Sequence, residues 1–527
     1  MNQFLSSKQA VYAHNGVVAT SDGLAAQAGL DILKKGGNAI DAAIATAACL
    51  TVTEPCSNGI GSDCFAIVFY HGNLYGMNAS GKSSRNITIE KVTDRGFDQI
   101  PKYGVIPITV PGTPKGWASL SARFGKLSLI EVLQPAIKLA EKGFVISQHL
   151  GFYFENAIKH YEINNKGPEF ESFFKVFKNN GLFYKAGDIF QSHLMAKTLE
   201  EIGLTNSDSF YKGELAGRIV DFMEKNNGFI DREDLFNLDV SWVEPISVKY
   251  KGFDVFELPP NGQGITALMA LNILKNKSFD RLDFSTFHEQ IEAIKIAFSD
   301  TLAYVTDPDF MKINPEYLLS EEYASLRRNE IDETAKEYTP YDYKKGGTVY
   351  LATADKDGNM VSFIQSNYMG FGSGIVIDDT GISMQNRGHT FSMDKSHHNC
   401  LAPNKRTYHT IIPGFIMKNK KPIGPFGVMG GFMQPQGHLQ VLMNMIDFKM
   451  NPQAALDAPR FFFDEGLKVQ LENTFNPEIA KFLEARGHEI TISNRSAVFG
   501  RGQIIIKNNN YYLAGTETRC DGFIAYY

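Results

Sequence analysis

The chain has 527 residues, 43% of them apolar and 21% charged, and a mass of 58.6 kDa. This composition is globular and excludes a disordered chain. Lysine and arginine number 52 against 58 aspartate and glutamate residues, which gives a formal net charge of −6. A chain with this charge and no basic block binds nucleic acids and anionic membranes poorly, so we expect neither as a partner.

The cysteine content and the hydropathy of the sequence further limit the class of protein. The five cysteines are too few for a disulfide scaffold, and none is spaced as in a structural metal site, so we expect no metal. The first eight residues lack the layout of a signal peptide. The most apolar run, residues 42–52, is about half the roughly 20 residues that span a bilayer. These features predict a soluble, cytoplasmic protein.

The sequence of the N-terminal part predicts two capped helices followed by a β-hairpin. The second helix covers the alanine-rich residues 39–50, and Asn38 before it is a suitable cap. A glycine-rich loop at residues 58–63 leads into two apolar strands at residues 64–70 and 74–78.

The middle and the C-terminal part differ in character. Helical spacing dominates residues 116–340, and a linker is predicted at residues 344–347. Strands at residues 348–354 and 360–366 then form a hairpin around an Asp-Gly turn, and a second hairpin lies near the C-terminus. Helices first and hairpins later, without alternation of single strands and helices, predict an α+β fold in layers.

Two motifs look functional and are interpreted as structural. The glycine-rich loop at residues 59–62 precedes a strand and lacks the lysine of phosphate-binding loops, so a nucleotide site is not expected. Residues 288–292 resemble a zinc-binding helix only until Glu292, which replaces the second histidine and removes the ligand pair. We interpret this segment as the start of an ordinary helix.

Thr348 is the more informative residue, because it opens a predicted strand after Gly346 and Gly347. A threonine hydroxyl is a poor nucleophile unless a base lies beside it, and an N-terminal threonine carries its own α-amine for that purpose. An internal threonine gains this amine only if its own hydroxyl cuts the preceding bond, through an acyl shift and hydrolysis. The glycines permit the unusual backbone geometry of that step. The alternative is a structural threonine at the start of a strand.

Residues 348–359, TVYLATADKDGN, resemble the start of the small subunit of γ-glutamyltransferases. These are N-terminal nucleophile hydrolases, made as one chain and self-cleaved before the catalytic threonine. Further blocks resemble the family in its own order: residues 36–43, 59–63, 110–113, 134–144, 307–310, 371–374, 430–431 and 519–522. No block is specific alone, but together they identify the chain as a member of the family.

The resemblance implies an α+β fold with four layers, an αββα sandwich. A large, helix-rich segment, residues 1–347, and a small, strand-rich segment, residues 348–527, together form one structural domain. The two fragments stay associated after processing, and the chemistry uses no metal or organic cofactor. The sequence leaves open whether copies of the chain form a homo-oligomer.

The resemblance also assigns roles to residues. Thr348 is the nucleophile and, after cleavage of the Gly347–Thr348 bond, its own general base. Ser366 stands where the family has a second hydroxyl that assists processing and orients the nucleophile. Gly430 and Gly431 resemble the glycine pair whose backbone N–H groups form the oxyanion hole.

The substrate pocket departs from the family pattern. Enzymes that act on γ-glutamyl groups hold the α-carboxylate with an arginine, which the matching residues 78–82 lack. Arg387 stands where the family has an acid for the α-ammonium, and an arginine there favours a carboxylate over an ammonium. We therefore predict that the substrate is a small amide with a carboxylate but no α-amine. Its predicted binding residues are Asn386, Arg387, His409 and Thr410. The alternative is that Arg387 points away from the pocket and pairs with a structural acid.

The leading hypothesis is an amide hydrolase or acyltransferase with a self-generated N-terminal threonine that forms an acyl-enzyme. One alternative is genuine γ-glutamyl transfer or hydrolysis of glutathione. The other is an unprocessed, non-catalytic relative that binds an acidic metabolite. The state of the Gly347–Thr348 bond separates the enzyme from the binding protein, whereas the acyl donor and acceptor cannot be deduced from the sequence.

Overall fold

The structure, a computed structural model, describes residues 7–338 and 347–527. Its helices are α1 (Gly23–Lys34), α2 (Ala39–Thr53), α3 (Ile89–Thr93), α4 (Thr113–Phe124), α5 (Leu129–Lys142), α6 (Gln148–Asn164), α7 (Glu171–Phe177), α8 (His193–Leu204), α9 (Asp208–Tyr211), α10 (Glu214–Lys225), α11 (Arg232–Phe236), α12 (Gly264–Leu274), α13 (Phe284–Tyr304), α14 (Pro315–Leu318), α15 (Glu321–Arg328), α16 (Met433–Ile446), α17 (Pro452–Asp457) and α18 (Pro477–Ala485). Short 3-10 helices cover Pro168–Phe170, Pro308–Phe310, Arg387–Thr390 and Ser496–Phe499.

Its strands are β1 (Val11–Ala13), β2 (Val17–Thr20), β3 (Asp63–Tyr70), β4 (Asn73–Ala79), β5 (Phe144–Val145), β6 (Lys178–Asn179), β7 (Leu182–Phe183), β8 (Ile189–Phe190), β9 (Ser241–Val243), β10 (Ile246–Tyr250), β11 (Phe253–Glu257), β12 (Gly347–Ala354), β13 (Met360–Tyr368), β14 (Gly414–Lys418), β15 (Lys421–Met429), β16 (Phe461–Glu465), β17 (Lys468–Glu472), β18 (Glu489–Ser493), β19 (Arg501–Lys507), β20 (Tyr512–Thr516) and β21 (Phe523–Tyr526). The first three residues of the predicted linker, 344–346, lie outside the described residues.

Two antiparallel seven-stranded sheets form the centre of the protein. The first has the strand order β21-β2-β12-β13-β3-β4-β9, and the second has the order β1-β20-β19-β15-β14-β11-β10. Each sheet contains strands from both sides of the Gly347–Thr348 bond. The two segments of the chain therefore share both sheets rather than forming separate units.

Both faces of the central strands are buried, as β3 illustrates. Phe65, Ile67 and Phe69 belong to the apolar core between the two sheets. Cys64, Ala66 and Val68, which alternate with them, belong to a core shared with the helices on the other face. Because successive side chains of a strand point to opposite faces, β3 reads as a continuous apolar run.

The outer layers are helical. All 15 residues of α2 are buried against the first sheet and its neighbouring helices, which the small alanine side chains permit. Asn38 caps this helix, as the sequence predicts. Helices α12 and α16 contribute to the core on the outer face of the second sheet. The resulting αββα order confirms the predicted fold class.

The middle segment is the main correction to the predicted elements. Residues 246–257 were expected within a helix-dominated region, but they form the hairpin β10–β11 at the edge of the second sheet. Val248, Tyr250 and Val255 point into the core, alternating with polar residues. Lys251 and Gly252 form the turn with positive φ angles of 48° and 84°. A period of two and a glycine turn identify the hairpin in the sequence.

In the described part of the chain, no helix combines the length and the apolar character needed to cross a membrane. All five cysteines are free thiols, and Cys49, Cys56 and Cys64 are buried. These three therefore act as small apolar side chains.

Candidate active site

Thr348 lies at the start of β12, where the ladder between β12 and β13 changes register. The shift follows directly after the pair formed by Gly347 and Tyr368. A bulge of this kind redirects a side chain out of the regular alternation. The Thr348 side chain is fully buried, and its Oγ1 lies 3.0 Å from Ser366 Oγ. The two predicted hydroxyl groups are thus in hydrogen-bond contact.

A second polar side chain reaches the same hydroxyl. Gln434 Nε2 donates to Thr348 Oγ1 at 3.4 Å, and Gln434 Oε1 accepts from the Ile412 N–H at 3.0 Å. Ser366 Oγ accepts from the Tyr368 N–H at 2.8 Å. These contacts fix the surroundings of the hydroxyl pair. Gln434 was not predicted from the sequence; it lies four residues after Gly430, in the first turn of α16.

Gly430 and Gly431 connect β15 to α16, so they lie immediately before a helix N-terminus. Their φ angles are 135° and 61°, a region that favours glycine. A Cβ on Gly430 would lie 3.2 Å from the Cα of Gly500. The Gly431 carbonyl accepts from Gln263 Nε2 at 2.8 Å and from the Gln434 N–H at 3.2 Å. Gln434 thus links the glycine turn to Thr348.

Arg387 is the buried cation of this region, with a side chain 1% exposed. Its Nη1 donates to Thr410 Oγ1 at 2.7 Å, and its guanidinium lies 4.5 Å from the centre of the Tyr368 ring. Its Nε is 3.9 Å from Asp63 Oδ2, beyond hydrogen-bond distance. Within the described residues, Nε and Nη2 have no hydrogen-bond partner. Burial lowers the pKa of the guanidinium to about 10, which still leaves it charged at neutral pH.

Asp63 is a carboxylate at the end of the glycine-rich loop, and no role was predicted for it from the sequence. It lies opposite Ser366 in the ladder between β3 and β13. Burial raises the pKa of this carboxyl to about 7, against the lowering effect of Arg387. His409 Nε2 lies 3.1 Å from Asp63 Oδ2. Because His409 Nδ1 accepts from the Ile411 N–H at 3.4 Å, the proton is on Nε2 and is donated to Asp63.

His409 itself is neutral, since burial, helped by Arg387, holds the pKa of its imidazole well below the usual value. It contacts Asp63 rather than an open pocket. Thr410 contributes its hydroxyl to Arg387 and its carbonyl to Gln263 Nε2, at 2.6 Å. The predicted pair His409 and Thr410 therefore lies against Arg387 and Asp63.

The side chain of Asn386 forms hydrogen bonds with the protein backbone. Its Oδ1 accepts from the Met369 N–H at 3.2 Å, and its Nδ2 donates to the Lys102 carbonyl at 2.9 Å. This side chain therefore orders the loop that carries Arg387. Arg85, which follows the stretch that lacks the family arginine, forms an ion pair with Asp231 at 2.8 Å.

A cavity of about 170 Å³ adjoins this cluster. Its wall includes Tyr368, which follows Ser366 by two residues, and Phe432, which follows Gly431. Thr390, at the end of the 3-10 helix that starts with Arg387, and Tyr408, before His409, also line it. The cavity is thus bordered by the neighbours of the predicted site residues.

Residues 288–292 were predicted to start a helix, but they lie inside α13, which starts at Phe284. His288 has a partner that the sequence did not reveal. His288 Nδ1 lies 2.9 Å from His488 Nε2, which is 4.0 Å from Glu292 Oε1. These three residue types could bind a metal ion. Lys295 Nζ, however, lies 2.7 Å from Glu292 Oε1 and neutralises this carboxylate. We interpret the group as a buried hydrogen-bond network.

Two packed antiparallel sheets between helical layers, with a threonine hydroxyl at the start of a central strand, define the class of N-terminal nucleophile hydrolases. The profile of the gamma-glutamyltranspeptidase family matches residues 25–527. The chain belongs to this family, which confirms the resemblance found in the sequence.

Similar proteins agree on the class of reaction. Cephalosporin acylase from Bacillus halodurans is 53% identical, with a TM-score of 0.96, and the match covers 100% of this chain and 98% of that chain. Glutathione hydrolase-like YwrD proenzyme of Bacillus subtilis (strain 168) is 36% identical over 516 residues, 95% of this chain and 96% of its own length. Oxamate amidohydrolase proenzyme of Klebsiella pneumoniae subsp. pneumoniae is 32% identical over 531 residues, 97% and 98% of the two lengths.

The protein is therefore an enzyme, an amide hydrolase or acyltransferase of the N-terminal nucleophile class. This confirms the leading hypothesis at the level of the reaction class. The roles of individual residues stay predictions, which the geometry above makes specific.

Proposed function

We propose that Thr348 becomes the catalytic N-terminus by cutting the Gly347–Thr348 bond, and that the mature enzyme cleaves amides whose acyl group has a carboxylate and no α-ammonium. The buried guanidinium of Arg387, with two donors left without protein partners among the described residues, is the observation that carries the proposal on the substrate.

The covalent steps of the cut involve only Gly347, Thr348 and water. Oγ1 attacks the carbonyl carbon of Gly347 while its proton passes to the Thr348 nitrogen. The C–N bond then breaks and leaves an ester between the two residues. Water hydrolyses this ester to the Gly347 carboxylate, the Thr348 hydroxyl and a free α-amine. Ser366 Oγ, 3.0 Å from Oγ1, orients the hydroxyl.

The same atoms then serve turnover. The Thr348 α-amine takes the proton from Oγ1 as it attacks the substrate carbonyl, and the proton passes to the departing amine. Backbone N–H groups of Gly430 and Gly431 stabilise the oxyanion, because glycine lets the main chain approach it closely. Water or an amine then releases the acyl group from Oγ1.

The charge of the pocket selects the acyl group. Leaving a buried donor unpaired costs about 1–3 kcal/mol, and more when the group is charged. A substrate carboxylate that accepts from Arg387 Nε and Nη2 removes this cost. An α-ammonium close to the guanidinium is repelled instead. Oxamate, after which one relative is named, is an amide that carries a carboxylate and no ammonium.

Glutathione hydrolysis or γ-glutamyl transfer is the second candidate, and Asp63 is the observation that favours it. Its carboxylate lies 3.9 Å from Arg387 Nε and offers a partner for an α-ammonium. Against this, Asp63 already accepts from His409, and its raised pKa of about 7 leaves part of it uncharged at neutral pH.

Three p-nitroanilides that differ by one group each test the proposal. Glutaryl-p-nitroanilide has the carboxylate, γ-glutamyl-p-nitroanilide adds only the α-ammonium, and butyryl-p-nitroanilide lacks both. We expect the highest kcat/KM for the glutaryl amide. A γ-glutamyl amide that is hydrolysed faster than the glutaryl amide would support the second candidate. Equal rates for the glutaryl and butyryl amides would contradict the proposed selection of a carboxylate by Arg387.

A further inference from the structure

The uncut chain encloses both parts of its proposed active site. The Thr348 and Arg387 side chains are 0% and 1% exposed. In the described part of the chain, neither residue lines the neighbouring cavity. A substrate that enters this cavity therefore contacts neither the nucleophile nor the cation, and something must move before turnover.

Tyr368 contacts both the cavity and Arg387. Its side chain lines the cavity on one side, and the Arg387 guanidinium stacks on its ring at 4.5 Å from the centroid. Tyr368 is itself 2% exposed. Burial raises the pKa of its phenol to about 12, so the ring is neutral. We expect this ring to lie in the path of a carboxylate that moves from the cavity to the guanidinium.

The backbone of Tyr368 is paired with the segment that is to be cut. Its φ is +75°, a left-handed conformation that a bulky residue adopts only when its surroundings hold it there. Its partner in the ladder is Gly347, the residue on the acyl side of the Gly347–Thr348 bond. Its N–H also donates to Ser366 Oγ. Gly347 and Ser366 are thus two neighbours of Tyr368 in this conformation, and cleavage changes the first of them.

We propose that Tyr368 determines when the enzyme can bind its substrate: paired with Gly347 it covers Arg387 in the precursor, and cleavage, which detaches Gly347 from β12, lets it turn aside and expose the guanidinium to the cavity. The inference rests on the proposed function, in which Gly347–Thr348 is the cut bond and Arg387 binds a carboxylate. The guanidinium of Arg387 is then closed to a substrate carboxylate in the precursor and open to it in the mature enzyme.

Binding of glutarate, measured by isothermal titration calorimetry, tests this inference. We compare the mature enzyme with uncut Thr348→Ala, and we add Tyr368→Gly to the uncut chain, since glycine accepts the positive φ and removes the ring. Because the fraction of competent protein scales the apparent affinity, we expect binding about tenfold or more weaker in Thr348→Ala. Tyr368→Gly should return it to within about threefold of the mature enzyme.

Controls separate this inference from the function on which it rests. Tyr368→Asn, which also tolerates a left-handed backbone, repeats the test if the glycine variant fails to fold. Phe391→Ala in the uncut chain removes another aromatic residue of the cavity wall and should not restore binding. Uncut Thr348→Ala that binds glutarate as tightly as the mature enzyme would overturn the inference, as would a folded Tyr368→Gly chain that still binds weakly. If replacement of Arg387 in the mature enzyme leaves glutarate binding unchanged, the proposed function itself is contradicted.

Discussion

Replacing Arg387 by methionine gives the sharpest test of how the pocket selects its substrate. Methionine has a similar length and no charge, so the change removes the guanidinium without opening a large space. The Asp63 carboxyl, which loses its cation, has a pKa already raised to about 7 by burial. It therefore takes up a proton, and no unpaired charge is left in the site.

The expected magnitude follows from the two donors that Arg387 leaves for the substrate. Truncating one partner of a buried charged pair costs about 2–5 kcal/mol. This corresponds to a loss of roughly 30- to 5,000-fold in kcat/KM for glutaryl-p-nitroanilide. Butyryl-p-nitroanilide has no carboxylate, so its kcat/KM should change by less than about threefold.

The quantity to measure is the ratio of kcat/KM for the two amides, because a general loss of folded enzyme cancels in it. Arg406→Met is the matched control, since the Arg406 side chain donates to the Ser80 carbonyl at 2.9 Å and to Ser241 Oγ at 3.0 Å. Its ratio should equal that of the wild type. An Arg387→Met enzyme with an unchanged ratio would refute the assignment of the carboxylate to Arg387.

Four further outcomes are expected. Wild-type protein should separate into fragments of about 39 and 20 kDa, as calculated from chain length, whereas Thr348→Ala stays at 58.6 kDa. If N-terminal sequencing shows that the small fragment starts at a residue other than Thr348, the assignment of Thr348 as the nucleophile is wrong. Ser366→Ala removes one hydrogen bond to the nucleophile and should slow cleavage about 5- to 150-fold in a gel time course, and an unchanged rate would remove its role. Gly431→Val should lower kcat of the processed enzyme about 100- to 1,000-fold; normal turnover would place the oxyanion hole elsewhere. Burial raises the pKa of Asp63 from 3.8 to about 7, so between these values the folded state retains a proton that the unfolded state releases. The free energy of unfolding should therefore fall as the pH rises from about 4 to about 7. In urea unfolding of the uncut Thr348→Ala chain this fall should be smaller when Asp63→Asn is added, and equal falls would show that Asp63 does not titrate as described.

Local signals in the sequence were sufficient for the elements that carry the nucleophile. The capped helix α2, the strand β3 and the hairpin β12–β13 lie where the caps, the alternation and the Asp-Gly turn place them. The hairpin β10–β11 was missed although its signals are present, because the surrounding helices dominated the interpretation of that region.

The site was predictable only where one segment of chain defines it. Thr348, Ser366 and the glycine pair each belong to a short block that resembles the family. The contact of Asp63 with Arg387 and His409 depends on which strands are neighbours and in which register, and no local pattern reports that. The same holds for His488, which reaches His288 from 200 residues away.

The sharing of both sheets between the two segments has a consequence for the life of the mature enzyme. Strand β2 of the large fragment lies between β21 and β12 of the small one, and β13 of the small fragment lies against β3 of the large one. The precursor can fold as a single molecule, at a rate independent of its concentration. Once cut, the same sheets can be rebuilt only when two separate polypeptides meet, so recovery from denaturation becomes second order and competes with aggregation through exposed strand edges. The proposed cleavage therefore removes the ability of the enzyme to refold as a single molecule.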